Sequence, residues 1–153
     1  MEELWKNLAD GKEVRRTLIE IKERLRGENA VRQRDALLAL CGGDYSVLTE
    51  LLSAEDAKVR KNAALVIGEL AVPKLMNSVW EAYRREETRF VRGAYLTALK
   101  AFDYSGLVPE LRQALDELSR QPVSDDSRKH LQEEKLLLRE LLSAKEKAKP
   151  HIY

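Results

Sequence analysis

Cysteine occurs once in the 153 residues, histidine twice, and aromatic side chains make up only 6%. A lone Cys41 excludes an intrachain disulfide framework, fits a reducing compartment, and denies the chain a zinc site built on cysteine pairs. His130 and His151 are far apart and fit neither H-x-x-x-H nor H-E-x-x-H, so no metal ion or other cofactor is expected. G-x-x-x-x-G-K-[ST], G-x-G-x-x-G and G-x-S-x-G are all missing, and His130 follows a solvated Ser-Arg-Lys run, so no residue is assigned a catalytic role. An excess of one charge is missing as well: 27 Lys and Arg face 26 Asp and Glu. Five successive segments (1–26, 27–53, 54–87, 88–121 and 122–153) carry +1, −2, 0, +1 and +1, which is not the profile of a polyanion-binding protein. No apolar run reaches the roughly 18 residues of a membrane span. The N-terminal "MEELWKNLADGKEV" is charged from its second residue, unlike a signal peptide. A cytoplasmic location is expected.

What is abundant is leucine and alanine, placed at helical spacing. Leu18, Ile21 and Leu25 recur at three- and four-residue steps, as do Val59, Ala63, Val66, Ile67 and Leu70. No segment alternates as a strand would. The fold class is all-α, with helices expected at 2–9, 12–26, 30–42, 46–53, 56–71, 73–86, 88–102, 105–120 and 124–146. Glycines at Gly11, Gly27 and Gly42–Gly43 mark helix ends. Pro73 and Pro109 fall at or just before the first turn of a helix, where no backbone bond is lost. Ser124 is the expected cap of the last helix, with Asp125 and Asp126 in its first turn. Cys41 lies on an apolar helix face and reads as a packed, inert thiol.

Three segments, "QRDALLALCGG", "VRKNAALVIGE" and "VRGAYLTALKA", align so that Arg34, Arg60 and Arg92 share a register, 26 and 32 residues apart. Each precedes a second amphipathic helix, and a helix pair recurring near every 30 residues is a solenoid pattern. The turn Asp-Tyr-Ser is written twice, at 44–46 and 103–105, where one helix pair passes to the next. There Asp or Ser can cap the new helix and Tyr can cover the joint.

"SAEDAKVRKNAALVIGELAVPKLMNSV" resembles a HEAT repeat of the short bacterial type. Asp56, Val59, Arg60, Ala63, Ala64 and Gly68 match that family's D-x-x-V-R-x-x-A-A-x-x-x-G core. The unit beginning near Glu87 keeps Val91 and Arg92 but has Lys100 in place of the glycine, and the first unit has Gln33 in place of the valine. The resemblance implies an α-α superhelix of about four antiparallel helix pairs. Residues 27–121 would form the repeats, with caps at 1–26 and 122–146 and a tail or linker at 147–153. It also implies that Arg34, Arg60 and Arg92 tie neighbouring units together, with Asp56 as a partner, instead of forming a phosphate ladder. The three arginine-bearing helices should then lie side by side.

Helical phase points Asp35, Lys61, Leu65, Thr97 and Lys100 away from the buried stripe, onto the wall that is concave in such stacks. Small and mildly charged, this wall suits another protein as partner better than nucleic acid. The expected function is a non-catalytic scaffold presenting a rigid curved surface. The alternative is an accessory domain for nucleic acid, as the N-terminal part of a modifying enzyme such as a methyltransferase. Trp80 and Tyr83 are expected to pack between units, and Trp5 is open to either packing or binding.

Overall fold

Nine α-helices and two 3-10 turns account for most of the chain in the computed structural model, which describes residues 1–122 and 127–148. The helices are α1 (Glu2–Ala9), α2 (Val14–Arg26), α3 (Ala30–Cys41), α4 (Ser46–Leu51), α5 (Ala57–Leu70), α6 (Met76–Arg85), α7 (Arg89–Leu99), α8 (Val108–Arg120) and α9 (Arg128–Ala148). Pro73 opens a 3-10 turn before α6, and Pro109 sits in the first turn of α8. The expected cap at Ser124 to Asp126 and the tail from Lys149 onward, His151 included, lie outside the described residues.

Four helices, α2, α5, α7 and α9, form one wall, because α5 packs between α2 and α7, and α7 between α5 and α9. Cross-links show that they run parallel. Lys22 meets Asn62 and Arg26 meets Glu69 across α2 and α5. Arg89 meets Glu134 and Lys100 meets Glu140 across α7 and α9. Helices α1, α4, α6 and α8 cover the back of the wall, packing on α2, α5, α7 and α9 in turn. Leu18, Ile21, Ile67, Leu70, Leu96, Leu99 and Leu138 are completely buried between the layers.

One expectation is corrected. The wall neighbour of α5 is α2, not α3, which touches α5 only at its edge. A wall helix needs apolar residues on two flanks. α5 buries eight residues and α2 buries Thr17, Leu18, Ile21 and Leu25, whereas α3 buries only Leu37 and Cys41. Segments 1–26 and 122–146, expected as caps outside the repeats, therefore contribute the two end helices of the wall itself. Arg34 takes a different part: its Nε and Nη2 donate to the Leu70 carbonyl at 2.9 and 2.7 Å, closing the C-terminal end of α5.

Both Asp-Tyr-Ser turns are built alike. Asp44 accepts the Ser46 amide at 3.0 Å, and Asp103 accepts the Ser105 amide and hydroxyl at 3.2 and 2.6 Å. Each tyrosine carries a lysine from farther along the chain over its ring, Lys74 over Tyr45 and Lys145 over Tyr104. Tyr104 also donates to the Leu141 carbonyl at 2.7 Å, pinning α9 to the turn.

Two glycines of the wall make opposite predictions. A Cβ on Gly68 would sit 2.9 Å from the Ala98 Cα, a backbone atom that cannot step aside. Gly68→Ala should cost about 1–3 kcal/mol through overpacking. A Cβ on Gly93 meets only the flexible Leu137 Cδ1, at 3.5 Å. Gly93→Ala should stabilise by about 0.5–1 kcal/mol, because glycine in a helix interior loses more entropy on folding. Urea unfolding of the two variants checks the sign of each.

Burial and the nearby Asp44 carboxylate push the Cys41 thiol up to about 11. Its thiolate fraction near neutral pH is accordingly small. Iodoacetamide should label Cys41 only as fast as the chain unfolds, and labelling at the rate of an exposed thiol would contradict this burial.

Candidate functional site

Two buried nodes hold the wall. In the first, Arg60 on α5 grips Glu86 at the end of α6 with two parallel bonds of 2.9 Å, from Nε and Nη2. The same guanidinium donates to the Ala54 and Glu55 carbonyls at 2.8 and 2.9 Å. Tyr95 completes the node, donating to Glu86 at 2.9 Å. The second node repeats this chemistry one unit on. Arg92 on α7 donates to Glu134 on α9 at 2.9 Å and to the Glu86 carbonyl at 2.7 Å, and Tyr83 donates to Glu134 at 2.6 Å. Each arginine thus joins the turn before its own helix to a carboxylate sent from the next helix pair.

Burial works against the charge on Glu86, but Arg60, the Thr88 amide and the Tyr95 hydroxyl outweigh it and hold the carboxyl below its ordinary value. Burial and the facing carboxylates push both tyrosines well up, so Tyr83 and Tyr95 remain donors. Such bidentate, charge-assisted bonds fix geometry as well as energy.

Asp56 is not the arginine's partner, which corrects a second expectation. Its carboxylate accepts the Lys58 amide at 2.8 Å and caps α5, so it is occupied by the first turn of its own helix. Glu86 and Glu134 do the pairing, and sequence reasoning missed both. A signal existed for Glu134: it falls on the stripe Leu131, Glu134, Leu138 and Leu141, where a carboxylate without a partner would be costly.

The wall leaves a trough along its open side. A hollow of about 280 Å³ over α7 is lined by Lys61 and Leu65 of α5, Phe90, Gly93 and Thr97 of α7, and Leu137 of α9, among others. It continues past Leu65 and Thr97 into a second hollow of similar size that reaches Gly68 and Lys100. Gly93, Ala94 and Thr97 of α7 are the small residues of the first hollow, while Lys61 and Leu65 of α5, Arg89 and Phe90 of α7, and Leu137 of α9 are larger. Lys61, Leu65, Thr97 and Lys100 are therefore brought onto one surface. Asp35 is not among them, because it is exposed on α3, outside the wall.

A larger hollow, about 430 Å³, lies on the opposite layer between α6 and α8. Its aromatic floor is already engaged: Trp80 stacks on Tyr83 at 5.2 Å, and Arg92 lies over the Tyr83 ring. Trp5 is half-buried and packs against the core. Among the described residues no group of three His, Cys, Asp or Glu is placed to hold a metal ion, and no helix is long and apolar enough to cross a membrane.

A stack of helix pairs with repeated arginine–carboxylate nodes defines an α-solenoid. The HEAT repeats family model matches residues 45–132, from the first Asp-Tyr-Ser turn into α9. This chain belongs to the HEAT-repeat family, whose members generally mediate protein–protein interaction as scaffolds. No curated protein and no solved structure matches it.

Proposed function

We propose that this chain is a non-catalytic scaffold module that receives another protein in the trough of α5, α7 and α9. The observation carrying this reading is a preformed trough with a small-residue floor, supported from behind by two buried ionic nodes. Binding there needs no loop to order, and the entropy saved appears as affinity. Three cations along the trough are already paired with carboxylates, Arg26 with Glu69, Arg89 with Glu134 and Lys100 with Glu140, which leaves little charge for the phosphates of a nucleic acid.

A photo-crosslinking side chain at position 97, in place of the exposed Thr97, tests the proposal in cell extract, with the same group at Gln113 on α8 as the control. The expected result is a discrete protein adduct from position 97 that position 113 does not give. Equal labelling from both positions, or no protein adduct from position 97, contradicts it.

A further inference from the structure

We infer that the segment docking in this trough is an acidic amphipathic one, whose carboxylate meets Lys61 while its apolar side chains lie on Leu65, Thr97 and Leu137. The inference rests on the scaffold reading and adds the chemistry of the partner.

Charge bookkeeping along the trough points this way. Its lining holds four permanent cations, Arg26, Lys61, Arg89 and Lys100, against two carboxylates, Glu69 and Glu133. Neither carboxylate faces Lys61 as a partner: Glu69 accepts from Arg26 at 2.6 Å, and Glu133 lies 3.5 Å from His130. Lys100 is paired with Glu140 from outside the lining, at 2.9 Å. Arg89 must share Glu134 with Arg92, so one buried carboxylate answers two guanidiniums. Among the described residues Lys61 has no carboxylate within ion-pair distance. It stands half-buried at the bank, beside Leu65, Gly93, Ala94 and Thr97.

Lys22 on the neighbouring α2 lies within the influence of the same cations. Lys22, donating to Asn62 at 3.0 Å, is held below the usual lysine value by burial and then by repulsion from Arg26 and Lys61. A carboxylate placed beside Lys61 relieves that repulsion and gains an ion pair partly screened from water by Leu65 and Phe90, where such pairs outweigh those on open surface. Apolar residues three and four positions from that carboxylate then fall along the floor, since a helix lying parallel to α7 presents them on one side.

The test uses the full chain and three probes: an amphipathic peptide of roughly four helical turns with leucine on one face and glutamate along the edge of that face, the same peptide with lysine for glutamate, and a single-stranded oligonucleotide. Affinities are measured by titration, and amide resonances of Leu65, Gly93 and Thr97 report the place of binding. The glutamate peptide should bind in the trough about tenfold or more tighter than the lysine peptide, weaken as salt is raised, and lose that preference in Lys61→Glu. Lys61→Arg should retain it, and the Lys61→Gln variant, which keeps the length without charge, guards against a folding defect in the reversal. Equal binding of the two peptides overturns the acidic partner but leaves the scaffold reading standing. Preference for the oligonucleotide overturns both, and no peptide binding in the trough overturns this inference while position-97 crosslinking decides the other.

Discussion

Glu134→Ala should lower the free energy of unfolding by about 3–5 kcal/mol, a large share of what a domain of this size commonly has. The Glu134 carboxylate is completely buried and accepts from Tyr83, Arg89 and Arg92. Truncation would strand the Arg92 guanidinium and the Tyr83 hydroxyl in a site with little access to water, and an unpaired buried charge costs more than the pair contributes. It would also unfasten α9 from α7, so loss of protection against hydrogen exchange should begin at α9. Glu134→Gln retains an acceptor for Tyr83 but not the charge, and its loss should be smaller, about 1–3 kcal/mol. Urea unfolding followed by far-UV circular dichroism reads both, and a loss within experimental scatter for the alanine variant would contradict the role given to Glu134.

Glu86→Ala should cost a similar amount, about 3–5 kcal/mol, since it removes both bonds of the Arg60 fork and the acceptor of Tyr95 together. This node carries a pH signature too. The Glu86 carboxyl is depressed in the folded chain, so its contribution is complete above the unfolded value of about 4.3 and is lost as pH falls through the folded value. Stability of the wild type should therefore decline below about pH 5, and in Glu86→Gln that decline should be shallower. It should not vanish, because Asp44 and Asp103 are held down by their bonds from Ser46 and Ser105 and titrate in the same direction. Identical pH profiles for wild type and Glu86→Gln would place the acid sensitivity elsewhere.

The helices were legible because their cues are local. Leucine spacing, glycine at helix ends and proline in first turns act within a few residues, and the described boundaries fall close to those expected. The twin Asp-Tyr-Ser turns were legible for the same reason, as each aspartate reaches only two residues onward. What was misread is longer in range. Arg34 shares a register with Arg60 and Arg92, yet register says nothing about which helix can bury two flanks, and α2 fills the place that alignment gave to α3. The lysines over Tyr45 and Tyr104 come from 29 and 41 positions away, a pairing that no spacing rule announces. Asp56 was the nearest acid in the family pattern, but its own helix start claims it. Glu134 was the one distant partner with a visible signal, a carboxylate on a leucine stripe. The trough residues on α5 and α7 could be placed by helical phase alone, whereas the bank formed by α9 required knowing that the last helix belongs to the wall.

A double-mutant cycle on Arg92→Met and Glu134→Leu probes most directly whether ionic nodes passed from each helix pair to the next hold this wall rigid. Each single change should be costly, and the pair together should recover much of the loss, leaving a coupling of about 2 kcal/mol or more. Losses that simply add would mean the two side chains act independently and that the wall owes its rigidity to something else.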